Sequence, residues 1–159
     1  PEADLAIFRQ RYLGFIFQSY NLLPQLTAVE NVALPLAFRG IEKHVRDRMA
    51  VELLKRVGLR HRLTHYPGQM SGGQQQRVGI ARAFINRPKV VFADEPTGNL
   101  DTRTTGEVLH MMKEFAAEFN ETLILVTHDP SIQTYADRVV TLRDGVVISN
   151  IKGGQPDEA

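Results

Sequence analysis

The chain has 159 residues, 43% hydrophobic and 23% charged, with a formal net charge of +1. That is one globular domain's worth of core, with no global attraction for nucleic acid or anionic lipid. Zero cysteines exclude disulfides, thiolate metal sites and thiol catalysis, and no apolar run approaches the roughly eighteen residues that span a bilayer, so any membrane role is expected to be peripheral.

Pro1-Glu2-Ala3-Asp4 carries no signal-peptide pattern. Leu13 to Phe17 is a short apolar run rich in aromatics and predicts a buried strand ending at Gln18. A loop follows, and Thr27 is placed to cap a helix through Leu34, which Pro35 should interrupt or kink. Glu42 to Val57 predicts a helix, with Val45, Met49, Leu53 and Val57 at four-residue spacing and Gly58 as its stop. Between Arg39 and Arg62 stand eight Lys/Arg against three Asp/Glu. The simpler reading of that excess is a solvated face around one apolar stripe.

Ser71 opens the next helix, and Gln74 three positions on completes a capping-box pattern. The helix should bury Val78, Ala81, Phe84 and Ile85 and stop before Pro88. Lys89 to Ala93 predicts a strand covered on both faces. Asp101 should cap a helix whose Val108, Met111, Met112, Phe115 and Phe119 form a core stripe. Thr122 to Thr127 predicts another buried strand, running into His128-Asp129-Pro130. Arg138 to Leu142 and Val146 to Ile148 predict a hairpin turned by Asp144-Gly145. This alternation implies an α/β fold, mostly parallel, with an inserted α-helical subdomain over roughly 27–87. The domain is expected to cover 1–152, and 153–159 to be a flexible tail.

Three features carry chemistry. Asp94 and Glu95 close a buried strand, where ligands bind in parallel sheets. There Asp94 can hold magnesium and Glu95, on the opposite side if the strand continues, can take a proton from an attacking water. Ser71-Gly72-Gly73 sets a hydroxyl and side-chain-free amides at a helix N-terminus, a ready anion site that also reads as an ordinary cap. Gln18 and His128 each follow a strand, where an amide oxygen can ligate metal or water and an imidazole can contact a terminal phosphate. The other histidines, His44 and His65 among them, have no ligand spacing.

Taken in order, Gln18, Ser71 to Gln75, Asp94-Glu95, Asn99-Leu100-Asp101 and His128 resemble the Q-loop, signature, Walker B, D-loop and H-loop of the ATP-binding cassette (ABC) ATPases. Met70 stands where that signature usually has leucine, a nearly volume-conserving change. Residues 14–24 and 93–101 resemble the branch containing lipoprotein-releasing, macrolide-export and cell-division ATPases of bacteria.

The resemblance implies a P-loop NTPase-like fold that hydrolyses ATP with Mg2+ and packs head to tail with a second ABC ATPase subunit. Glu95, His128 and Gln18 would be catalytic, with Asp94 and Gln18 at the metal. Ser71, Gly72, Gly73, Gln74 and Asp101 would bind ATP, the signature residues serving the partner's nucleotide. It implies a transmembrane permease partner, no nucleic acid, and a peripheral place on the cytoplasmic face of the bacterial inner membrane.

Seventeen residues precede Gln18 and no G-x-x-x-x-G-K-[ST] stretch occurs. The chain is therefore expected to be the back part of such a domain and to bind ATP poorly by itself. The alternative is a soluble ABC-type ATPase acting on ribosomes or DNA. Thr97-Gly98-Asn99-Leu100-Asp101 differs from the Thr-Asn-His-Leu-Asp of the ribosomal class. The roughly fifty residues between Gln18 and Ser71 hold no sustained heptads of the DNA-repair class.

Overall fold

In the computed structural model, residues 1–153 are described, and the rest of the expected tail lies outside them. They divide into two compact units, one from Pro1 to Val126 and one starting at Thr127.

The first unit is built on three parallel strands, β1 (Leu13–Phe17), β2 (Val90–Asp94) and β3 (Thr122–Val126), with β2 in the middle. The register brings Phe17, Asp94 and Val126 side by side at the C-terminal ends. Five helices accompany them: α1 (Glu2–Tyr12), α2 (Ala28–Phe38), α3 (Lys43–Arg56), α4 (Gly72–Ile85) and α5 (Thr102–Glu118). The first of these was not legible as an element. It buries no residue and has no apolar face, but Glu2 and Asp4 in its first turn and Arg9 and Arg11 in its last complement the helix dipole.

Thr27 caps α2 through a reciprocal box with Glu30, and the helix runs on through Pro35 to Phe38 rather than stopping at Leu34. In α3 the expected stripe shifts: Ala50, Leu53, Leu54 and Val57 are buried, while Val45 and Met49 stay exposed. The predicted face of α4 holds, with Val78, Ala81, Phe84 and Ile85 all buried. From α5, Phe115 and Phe119 meet Phe84 in an aromatic cluster with centroid separations of 5.5 and 6.4 Å.

Neither β2 nor β3 is covered on both faces, contrary to expectation. Ile16, Val91 and Ala93 are buried on the face that α4 and α5 pack against, whereas Phe15, Ile124 and Val126 on the other face are exposed. Period-two side-chain alternation therefore sorts these apolar runs into one covered and one bare face within this unit.

Glu121, in the turn between α5 and β3, has both carboxylate oxygens buried without a hydrogen-bond partner. Burial pushes its carboxyl up to about 7 from 4.5, partly offset by Arg87. The folded state thus holds a proton that the unfolded chain has released, and stability should fall as pH rises from about 4.5 to about 7. Glu121→Gln is expected to raise the thermal midpoint at pH 8 by roughly 3–6 °C, for a gain of ~1–2 kcal/mol after allowing for partial solvation. The gain should vanish by pH 4.5, which calorimetric melts at the two pH values would read.

The second unit holds a 3-10 turn (Pro130–Tyr135) and the hairpin of β4 (Arg138–Arg143) and β5 (Val146–Lys152). Asp144 and Gly145 have φ of 50 and 76, the left-handed pair that an Asp-Gly hairpin turn requires.

Candidate functional site

Asp94 is the exposed last residue of β2, and Gln18 directly follows its parallel neighbour β1. The two are consequently adjacent at the carboxyl ends of the sheet. The condition for placing Glu95 opposite Asp94, a strand that continues, is not met: β2 ends at Asp94. Glu95 has a φ of 45, a left-handed backbone that costs a branched or long side chain of this kind about 1–3 kcal/mol and concentrates at functional positions. The chain is held there on both sides: Glu95 N–H donates to the Val126 carbonyl at 2.9 Å, and Gly98 N–H donates to the Glu95 carbonyl at 3.2 Å.

The turn beyond Glu95 reaches back to Gln18. Gln18 Nε2 donates to Asn99 Oδ1 at 3.4 Å, and Asn99 Nδ2 donates to the Gln18 carbonyl at 3.2 Å. A Cβ on Gly98 would lie 2.9 Å from Gln18 Cδ and closer still to Nε2, so only glycine leaves room for this pairing. Gly98→Ala is expected to displace the Gln18 amide and lower ATP turnover of the full-length protein roughly tenfold. Steady-state phosphate release would measure it.

Ser71 caps α4: its Oγ accepts from Gln74 N–H at 3.2 Å, and Gln74 Oε1 accepts from Ser71 N–H at 3.0 Å. That box occupies Gln74 and the Ser71 lone pair, yet it leaves the Ser71 hydroxyl proton to donate outward. The Gly72 and Gly73 amides begin the helix and have no helical carbonyl behind them. An anion can therefore be met by one hydroxyl and two amides at the positive end of the helix dipole. The tip packs closely against the Tyr20 loop and the first turn of α5. A Cβ at Gly72 would sit 2.7 Å from the Tyr20 hydroxyl, and one at Gly73 3.2 Å from Thr104 Cγ2.

Asp101 caps α5, accepting from Thr104 N–H at 2.8 Å and from its hydroxyl at 3.1 Å. These bonds hold its carboxyl below the ordinary aspartate range, and they engage it in the cap. His128 belongs to the second unit, in the stretch between β3 and the 3-10 turn, where Asp129 caps the turn through Ser131.

Gln18, Asp94, Glu95 and Asn99 thus converge in one unit. The donors suit magnesium shared with a phosphate ligand. Asp94 offers a carboxylate and Gln18 an amide oxygen, since its nitrogen faces Asn99. Among the described residues no cluster of three or more His, Asp or Glu could cage a metal by itself, and magnesium usually takes one or two protein oxygens with phosphates and water.

Four participants were missed by sequence reasoning. Asn31 is fully buried, accepting from Leu23 N–H at 2.8 Å and donating to the carbonyls of Leu23, Leu26 and Thr27, and so shapes the loop after Gln18. Arg82 of α4 donates to the carbonyls of Tyr20 and Asn21 at 3.0 and 2.7 Å. Both those residues have left-handed φ, 66 and 52, and burial lowers the Arg82 pKa. Tyr20 is the third, and Gln76 the fourth. Only the polar interruptions at Gln76 and Arg82 in an otherwise apolar helix face could have signalled them.

Comparison with known proteins places this geometry. The ABC transporter family model matches residues 3–98. A lipoprotein-releasing system ATP-binding protein LolD from Cytophaga hutchinsonii is 47% identical over 147 residues, covering 92% of this chain and 67% of that protein. A macrolide export ATP-binding/permease protein MacB from Chlorobium luteolum is 49% identical over 150 residues, covering 94% of this chain and 22% of that protein. The dimeric post-hydrolysis state of the ATP-binding cassette MJ0796, bound to ADP and Pi, superposes with a TM-score of 0.84 at 40% identity, covering 96% of this chain and 67% of that one. The chain therefore spans about a fifth of the MacB relative and about two thirds of the others.

Proposed function

This chain belongs to the ABC transporter family, and from that premise we propose that it is part of the ATP-hydrolysing component of a bacterial transporter for export or lipoprotein release. The observation that carries the reading is the meeting of Gln18, Asp94 and a strained Glu95 at neighbouring strand ends. Hydrolysis of a phosphoanhydride needs an oriented water, a proton acceptor and positive charge around the phosphoryl group. Glu95 takes the proton of the attacking water, and Gln18 orients that water through its amide oxygen. Asp94 and Gln18 would hold Mg2+, which supplies charge neutralisation on the phosphates. His128 lies in the second unit, in the stretch after β3, and membership of the family would give it a contact with a terminal phosphate.

Two such chains assemble head to tail in this reading; the cassette neighbour is itself a dimer. Ser71, Gly72 and Gly73 then meet the nucleotide of the partner, with Gln74 holding the tip in shape and Asp101 holding the start of α5 beside it. No helix among the described residues is long and apolar enough to cross a membrane. In this reading the protein acts at the membrane on a separate or fused permease; the name of the MacB relative joins an ATP-binding part to a permease. The reading is tested by phosphate release from Mg-ATP by the full-length protein, with and without its permease in proteoliposomes. Hydrolysis that the permease stimulates supports it. Absence of any magnesium-dependent hydrolysis would remove it.

A further inference from the structure

We propose that Gln76 is a positioning residue for Glu95, its buried amide tying the helix that opens at Ser71 to the loop that carries the catalytic carboxylate. Gln76 is completely buried. Its Nε2 donates to the Pro96 carbonyl, while its Oε1 is buried with no partner. An amide in this condition is a poor way to fill space, because a buried acceptor left without a donor is destabilising. Methionine would occupy nearly the same volume without that cost. What the amide contributes is the grip on one carbonyl.

That carbonyl sits one residue beyond Glu95. Proline has no N–H, so the Glu95–Pro96 peptide has no donor of its own to anchor the turn, and the Gln76 bond is a side-chain hold on the carbonyl of the next peptide. Glu95 itself is held at φ 45 by the Val126 carbonyl and the Gly98 amide. Such a conformation persists only where the surroundings over-determine it. Releasing the Pro96 carbonyl frees the turn to relax toward negative φ, which swings the Glu95 carboxylate away from the water it must deprotonate. Contacts with the nucleotide at Asp94 and the Ser71 tip do not pass through Pro96, and Gln18 keeps its strand-end place beside Asp94. A fault here should consequently appear in the chemical step rather than in binding. Gln76 lies on the second turn of α4, about 7 Å along the axis from Ser71, and a Cβ at Gly79 on the same face would meet the Tyr20 carbonyl at 3.7 Å and Gln76 Oε1 at 3.8 Å. One rigid helix thus touches the tip, the Gln18 loop and the Glu95 turn.

The inference rests on the reading of Glu95 as the general base of ATP hydrolysis. Its test uses the full-length protein in three forms: wild type, Gln76→Met and Gln76→Glu. For Gln76→Met, kcat should fall ten- to a hundredfold, with KM within about threefold and the thermal midpoint unchanged or raised. Gln76→Glu should be impaired at pH 8 and recover relative to wild type as pH falls, because the protonated carboxyl regains an O–H donor toward Pro96. A Met variant that keeps kcat overturns the proposal. So does one whose kcat, KM and thermal midpoint all deteriorate together, or a Glu variant whose relative activity is flat with pH. Wild type that does not hydrolyse Mg-ATP would remove the functional reading itself. Hydrolysing wild type beside an unimpaired Met variant would remove only the role of Gln76.

Discussion

Replacing Glu95 by glutamine should reduce ATP turnover of the full-length protein at least a hundredfold, while leaving Mg-ATP bound between two associated chains. Glutamine keeps the size of the side chain and the backbone bonds to Val126 and Gly98. It removes the carboxylate to which the base role is assigned. The backbone at this position is held through the Val126 carbonyl and the Gly98 amide, bonds the substitution leaves in place, so the thermal midpoint should stay within a few degrees. Phosphate release would read the loss of turnover, and size-exclusion chromatography in Mg-ATP would read the trapped dimer. Steady hydrolysis by this variant would take the base role away from Glu95.

The second large effect concerns the helix tip. Ser71→Arg should abolish association of the Glu95→Gln protein in Mg-ATP, with ATP affinity of the single chain kept within about threefold. Ser71 is exposed, and its Oγ serves the capping box as an acceptor, which leaves its hydroxyl proton available to donate. An arginine there loses the cap, at a cost of about 1 kcal/mol, and its bulk obstructs whatever approaches the two glycine amides. If the tip serves the partner's nucleotide, the obstruction blocks closure and spares binding. Sedimentation velocity and titration with a fluorescent nucleotide separate the two. Loss of single-chain affinity with association intact would mean that the tip serves the nucleotide of its own chain.

The two variants probe residues with different legibility. Ser71 and Gln74 were readable as a cap because a capping box is local: its geometry depends on four consecutive residues and the structure reproduces it. The Asp144-Gly145 turn and the Asp101 cap were readable for the same reason. Pro35 shows the limit of local rules. Its ring disfavours a helix interior, yet α2 continues through it, because Val32, Ala33 and Leu36 are buried on either side of it and packing outweighs the local penalty.

The order of chemistry-bearing residues, the parallel α/β character and the alternation of strands with capped helices were all determined by the sequence, since period, caps and motif spacing are properties of neighbouring residues. Tertiary structure alone decided which face of β2 and β3 is covered, that Val45 and Met49 stay outside the α3 stripe, and that Glu95 leaves the strand in a left-handed turn. It also decided the bonds of Gln18 to Asn99, Arg82 to the Tyr20 loop and Gln76 to Pro96. These join residues from 20 to 81 positions apart in the chain. No local preference specifies a polar contact at such separation; it exists only after burial of the apolar faces of α4 and the sheet has brought the two backbones together.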